Sequence, residues 1–535
     1  MKIVVPALYR IMRLSDIGLR VMPLRLMPTA CGNPHTNRRC KMTECSRRRA
    51  LAFMGAGAAA LPLAATAAAQ TKEAQWDQTC EVLVVGSGYA GLCAAIEARN
   101  AGADVLLVEK MMFLGGNSAL CGGGIAAPGS DLQKAAGVKD SAEQLYQDML
   151  KSGGGLTHKE LARVIADNAL PTYEWVRDYI GVKFDRLGYH GGHSVPRSAA
   201  YMKGNGAKLV KPLVEKAKAL GVKIEQGTRL AEILLEDGRV SGAVLQTGYR
   251  FPKESSGKLV RCRITKGLVL AGGGFSQNVA LRSLHDPRLG PQLESTNHPG
   301  ATGDALLAAK KIGAMDIQMD WIQLGPWTSP DEKGFGVAPK IVEAVVGFGF
   351  MVDPETGRRF VNETGNRKVR SDAIVATGHP AVLVVSTGNV GHVPPEALAK
   401  GIENGVVKTF ESPEALADFH KIPKDAFMKT LADWNACIAA KQDPEFKAKI
   451  FDDAKPNEGK LYSIRLWPRV HYTMGGLAIT PKAEVIGLDM KPIKGLYAAG
   501  EICGGVHGMV RLGTVSIADC LIFGRIAGRE AASVR

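Results

Sequence analysis

The residues best spaced for chemistry lie in "CEVLVVGSGYAGLCAAIEARNAGADVLLVEK", where Gly86-x-Gly88-x-x-Gly91 is followed by Glu109. A set of this kind binds a pyrophosphate and a ribose. Gly86 permits a tight turn, Gly88 lets phosphate oxygens reach the backbone, Gly91 lets a helix close on a strand, and Glu109 accepts from ribose hydroxyls. Ala90 and Lys110 belong to the same expected contact set. A second chemistry is raised by Arg367 in "FVNETGNRKVR". An arginine among polar residues is ordinarily a solvated charge, so its use depends on what the rest of the chain builds around it.

These residues need elements to hold them. Residues 82–85 form a continuous apolar run suited to a buried parallel strand, a helical pattern runs to Asn100 before Gly102 stops it, and residues 105–108 form a second run that delivers Glu109. The helix N-terminus then faces the anion. Next comes "KMMFLGGNSALCGGGIAAPG", whose Gly116, Asn117, Ser118, Gly122, Gly123 and Gly124 suit a tightly held flavin better than a mobile nicotinamide. "GLVLAGGGFSQN" runs another apolar strand into Ala271, Gly272 and Gly273, and "GLYAAGEICGGVHG" repeats the form with Gly500 and Glu501. The triple pattern favours FAD over NAD.

Length and charge bound the rest. At 535 residues the chain calls for two domains, one of them able to interrupt the other. The net charge is +15, but residues 1–69 hold eleven Lys and Arg against Asp16 and Glu44, which leaves +6 for the remainder. That remainder has no dense basic tract with interleaved aromatics, which excludes a nucleic-acid partner and remains compatible with a mildly positive cleft for an anion. "SRRRALAFMGAGAAALPLAATAAAQ" joins Arg47, Arg48 and Arg49 to an uncharged Ala-rich run, the pattern of a twin-arginine export signal cut before Gln70. It implies a periplasmic protein whose true start is Met42; the alternative is a leader that stays as a membrane anchor through residues 51–69, with peripheral membrane association. The cysteines outside the leader, Cys80, Cys93, Cys121, Cys262, Cys437, Cys503 and Cys520, are scattered without metal-site spacing. No C-x-x-C-H occurs, so no haem is expected on this chain.

The motifs "VGSGYAGLCAA", "GGNSALCGGG", "AGGGFSQN", "ATGDAL", "GRRFVNE", "HYTMGGL" and "GEICGGVHGMVRLGTVSIADC" follow one another from residue 80 onwards. In this order they resemble the FAD-dependent fumarate reductase and succinate dehydrogenase flavoproteins, most of all the soluble periplasmic fumarate reductases and urocanate reductase. The resemblance implies an α/β fold in which a Rossmann-like FAD-binding domain, residues 76–319 and 471–535, is interrupted by a smaller α+β capping domain, residues 320–470. Gly303, Asp304, Ser516 and Ile517 join the implied FAD contacts. His471 and Arg511 match the pair that binds a substrate carboxylate, Arg367 matches the proton donor, and Gln323 and Glu343 match its relay partners. The implied reaction is reduction of an α,β-unsaturated carboxylate in anaerobic respiration, with hydride from flavin N5.

Departures from the family pattern narrow the substrate. The histidine that binds fumarate's second carboxylate falls on Gly325 and its helper threonine on Val342, while the arginine that ends the relay falls on Val346. The expected substrate is therefore an enoate of the urocanate or arylacrylate type rather than fumarate, its far end against Trp321 or Trp327. Residues 117–121 lack the histidine that holds flavin covalently in some relatives, which implies non-covalent FAD. Electrons would come from an external donor, a cytochrome c or an FMN protein. The alternatives are an FAD-dependent dehydrogenase of the ketosteroid or succinate type, and an electron-transfer flavoprotein without catalysis. His190 and His193 in "RLGYHGGHSVPRS" either reach the flavin or terminate loops.

Overall fold

The structure is a computed structural model that describes residues 75–190 and 192–534. The leader, its export signal, the start at Met42 and its three cysteines lie outside the described residues. Two bodies of sheet organise the remainder. The larger is an eight-stranded sheet with a parallel spine in the order Lys223–Gln226, Val105–Glu109 (β2), Gln78–Val85 (β1), Lys258–Leu270 and Pro492–Ala498. The early part of Lys258–Leu270 pairs antiparallel with Arg239–Thr247, and its last residues pair parallel with Pro492–Ala498. β1 and β2 are apolar runs buried on both faces, as a covered parallel sheet requires.

The helix α1, Tyr89–Asn100, follows β1 directly and is buried along most of its length. It packs on the C-terminal helix Val515–Ser533 through small residues. A Cβ on Gly524 would lie 2.5 Å from the Ala90 carbonyl oxygen, and one on Gly528 would lie 2.2 Å from that of Ala94. These two glycines let the helix backbones touch.

The smaller body is a four-stranded antiparallel sheet in the order Phe350–Val352, Ala381–Ser386, Leu461–Leu466 and Val407–Phe410. It has apolar clusters of its own, one around Trp327, Ile341, Val342 and Leu383, the other around Phe350, Phe427 and Trp434. A two-stranded ribbon, Ile322–Gly325 against Arg469–Thr473, sets Gln323 opposite Tyr472. It lies at the sequence junctions between the two bodies and carries several of the residues singled out above.

Candidate active site

At the carboxyl ends of the spine strands lies an elongated cleft. Its walls include Gly86, Gly88, Ala90, Glu109, Lys110, Gly116, Asn117, Ser118, Ala271, Gly272, Gly273, Asp304, Gly500 and Glu501. Gly86 has φ +105°, and a Cβ there would lie 2.3 Å from the Ala271 carbonyl oxygen, so no other residue fits that turn. Glu109 accepts from Ser87 N at 3.0 Å, Ser87 Oγ at 2.6 Å and Met111 N at 2.9 Å, which locks the carboxylate at the end of β2. Lys110 is bound to Asp304 at 2.9 Å and to Thr302, so this acid–base pair braces the rim. Burial pushes the Glu501 carboxyl up to about 7 despite its bond from Thr473 N.

Several expected cofactor residues lie off this lining. Gly91 acts by packing, since a Cβ there would lie 1.8 Å from the Gly86 carbonyl oxygen. Gly303 takes φ +75° just before the helix Asp304–Lys311. Gly122, Gly123 and Gly124 are not among the cleft walls, and a Cβ on Gly124 would lie 2.8 Å from Ser198 Oγ. Ser516 and Ile517 sit in the first turn of Val515–Ser533. Sequence reasoning missed Ser87, which occupies the variable position of the fingerprint, and it missed Thr228, Arg229 and His298, which line the cleft from outside any glycine motif.

The second group of residues gathers around the ribbon. His471 is half-buried, hydrogen-bonded through Nδ1 to Thr296 Oγ1 at 2.8 Å, and set edge-on to Trp327 with ring centroids 4.8 Å apart. Burial, with the Arg511 and Arg367 cations, holds its pKa well below the ordinary value, so the imidazole is neutral. Arg511 is buried and lies over the Tyr472 ring at 4.7 Å. Its backbone N–H donates to Gln323 Oε1 at 3.0 Å. Gln323 therefore serves the Arg511 loop with its oxygen, while its Nε2 has no partner among the described residues.

Arg367 is the first residue of the helix Arg367–Thr377, capped by Asn366, whose Oδ1 accepts from Val369 N at 3.0 Å. A cation there meets the positive end of the helix dipole. Burial, then Arg511, lowers its pKa to about 9, with Glu343 working the other way. Burial disfavours ionised Glu343, but Arg370 and Arg367 outweigh it and hold the carboxyl below its usual range. The direct partner of Glu343 is Arg370 at 3.0 Å, and a third of the Glu343 side chain is exposed. Among the described residues, the buried donors Arg367 Nη1, Arg511 Nε, Gln323 Nε2 and Trp327 Nε1 around the ribbon have no acceptor, and Arg370 Nε and Nη1 have none either. A group of unpaired donors is costly unless a ligand supplies the acceptors, and a carboxylate does so.

The FAD binding domain family matches residues 81–517. The chain is 39% identical over 495 residues to the acrylate reductase flavoprotein subunit of Shewanella woodyi, covering 90% of this chain and 97% of that one. The chain belongs to the FAD-binding flavoprotein family of acrylate, fumarate and urocanate reductases. It is a flavin-dependent oxidoreductase acting on C=C bonds. Urocanate reductase of Eggerthella lenta is 34% identical to it over 472 residues, covering 85% of this chain and 75% of that one. The solved structure of a flavocytochrome c3 fumarate reductase in its open conformation superposes with a TM-score of 0.71 at 32% identity, covering 86% of this chain and 79% of that one.

One wall of the site is closed by an indole. A Cβ on Gly325 would lie 2.6 Å from Trp327 Cζ3, so the indole occupies the space any side chain at 325 would need. Val342 is fully buried in an apolar cluster. Trp321 lines a second pocket with Gln323, Lys368 and Asp372. Val346 packs among apolar residues, and the arginine that reaches Glu343 is Arg370.

Proposed function

We propose that this flavoprotein reduces a short α,β-unsaturated monocarboxylate of the acrylate class. The reading is carried by the unpartnered donors of Arg367, Arg511 and Gln323 beside a wall in which the Trp327 ring covers Gly325. In this reading Arg511 and neutral His471 hold the substrate carboxylate and stabilise charge that builds on it as the double bond is reduced. FAD held in the cleft lined by Gly86, Gly88 and Glu109 would, when reduced, supply the hydride for the β-carbon. Arg367 delivers a proton to the α-carbon, which leaves a saturated acid. A guanidinium is a poor acid at its ordinary pKa, and burial next to other cations makes it a better one. Glu343, in reach of solvent and paired with Arg370, returns the proton to Arg367.

The sequence alone points to an aromatic or heteroaromatic far end. The Trp327 ring instead takes up room that such a tail would use, which favours the shorter acid. A dicarboxylate would bring its second charge against apolar Val342 and the Trp327 ring, where the indole Nε1 is a neutral donor and supplies no compensating charge. A ketosteroid-type dehydrogenase is disfavoured because a steroid offers no carboxylate to a cluster made of donors.

The remainder of the proposal follows the sequence. FAD is held non-covalently, residues 320–470 act as a cap over the site, the leader directs export to the periplasm, and a cytochrome c or FMN protein supplies electrons. The test is anaerobic oxidation of reduced methyl viologen by purified protein with acrylate, fumarate, urocanate and cinnamate. The expected order of kcat/KM places acrylate first and fumarate at least about 10²-fold lower. Faster turnover of fumarate or urocanate than of acrylate overturns the assignment.

A further inference from the structure

We infer that His193, oriented by Arg197, is a positioning residue that fixes the Arg511 loop by clamping the peptide between Gly513 and Thr514. The inference rests on the proposed role of Arg511 as carboxylate holder.

The clamp begins at a buried charge cluster away from the cofactor cleft. Arg197 is fully buried and binds Asp140 through Nε and Nη2, both at 2.9 Å, and Asp148 through Nη1 at 2.5 Å. A buried arginine held by two carboxylates is a rigid donor. Its Nη1 also meets His193 Nδ1 at 3.2 Å. Arginine has no acceptor, so Nδ1 must accept, and the ring proton of the neutral histidine resides on Nε2. Nε2 then donates to the Gly513 carbonyl at 2.8 Å. Burial, followed by the nearby Arg197 cation, lowers the His193 pKa to about 4 and so favours this neutral form.

The clamped peptide has an unusual neighbour. Thr514 has φ +63°, a conformation disfavoured for a residue with a Cβ by roughly tenfold in population, and its Oγ1 is buried without a partner among the described residues. The Gly513 carbonyl and the Thr514 nitrogen share one peptide plane, so fixing the carbonyl fixes the rotation at which Thr514 is held. Strained residues persist where their surroundings over-determine them. Here Ser152 Oγ donates to the Val510 carbonyl at 2.8 Å, Gln323 accepts from Arg511 N, and His193 holds Gly513. Thr514 also leads straight into the helix Val515–Ser533. A slip at this peptide would move Arg511 on one side and the start of that helix on the other.

The experiment compares wild type, His193→Leu, His193→Gln, Thr514→Gly and the double variant His193→Leu/Thr514→Gly in the FAD-loaded full chain. KM and kcat for acrylate are measured with reduced methyl viologen, together with the Kd of propionate from the flavin absorbance change. His193→Leu is expected to raise KM and Kd about tenfold with a smaller change in kcat and with FAD retained. His193→Gln keeps a donor and stays closer to wild type. The double variant is expected to recover most of the loss, because glycine adopts φ +63° without strain. Should His193→Leu fail to fold, His193→Met is read in the same way.

Unchanged KM and Kd in His193→Leu overturn the inference. So does a loss that Thr514→Gly leaves unrelieved, since that is the signature of ordinary core damage. Arg511→Ala separates the two claims: full activity in that variant removes the proposed role of Arg511 whatever His193 does.

Discussion

If Arg367 is the proton donor, rate must fall as it loses its proton, and the structure places that loss near pH 9. The protonated fraction of a group with this pKa is about nine-tenths at pH 8 and about one-tenth at pH 10. The kcat/KM profile, which reports the free enzyme, is expected to have a descending limb near pH 9. The limb in kcat should lie higher, because a carboxylate bound nearby favours the charged guanidinium. Arg370→Gln provides the perturbation. It removes a cation that lowers the Arg367 pKa and leaves Glu343 without its direct partner, so the kcat/KM limb moves to higher pH while the rate at pH 7 declines. Viologen-linked stopped-flow assays between pH 6.5 and 10.5 measure both profiles. A flat kcat/KM through pH 10, or a limb that Arg370→Gln leaves in place, refutes Arg367 as the acid.

Arg367→Ala is expected to lower kcat by about 10²- to 10⁴-fold with the flavin spectrum unchanged, and a rate near wild type would remove the residue from the reaction. Trp327→Ala should shift the ratio of kcat/KM from acrylate towards cinnamate by opening the wall over Gly325, and an unmoved ratio separates that ring from specificity. Gly528→Ala gains about 1 kcal/mol of helix propensity but places a methyl 2.2 Å from the Ala94 carbonyl oxygen, so Tm should fall; a rise in Tm contradicts the contact between the two helices. Glu501 is held neutral by burial, its folded pKa of about 7 lying above the ordinary 4.5. The unfolded chain therefore releases this proton first, and apoprotein stability contributed by neutral Glu501 is present at low pH and lost as pH rises towards 7; Glu501→Gln should flatten that decline in thermal melts.

The parts legible in the sequence are those where backbone geometry dictates residue type. Gly86 and Gly91 could be read because a turn at φ +105° and a Cβ position 1.8 Å from a carbonyl admit glycine only, and the apolar runs of β1 and β2 because both faces are covered. What stayed hidden depends on side chains from distant segments meeting. Nothing in the spacing of Arg370 announces a bond to Glu343, since they come from different helices, Arg367–Thr377 and Ala338–Val345. Gly325 reads as a lost histidine until the indole of Trp327 is seen in its place. His193 could not be told from a loop residue without Arg197 and its two aspartates, which lie on separate stretches of chain.

Charge balance ties the proposed substrate to the proposed acid. Arg367, Arg370 and Arg511 stand near Glu343 and a neutral His471, so the cluster is cationic before substrate enters. A monocarboxylate reduces that excess without cancelling it, and the remaining cations continue to favour proton release from Arg367. A dicarboxylate would neutralise the cluster and push the guanidinium back towards its ordinary pKa, which makes it a weaker acid at the moment of transfer. The same change that removes a partner for the second carboxylate at Gly325 therefore also suits a site with an arginine supplied from position 370. If that coupling is correct, acquiring a partner for a second carboxylate at the Trp327 wall would admit fumarate only at the expense of turnover, with the kcat limb displaced further upward than it is for acrylate.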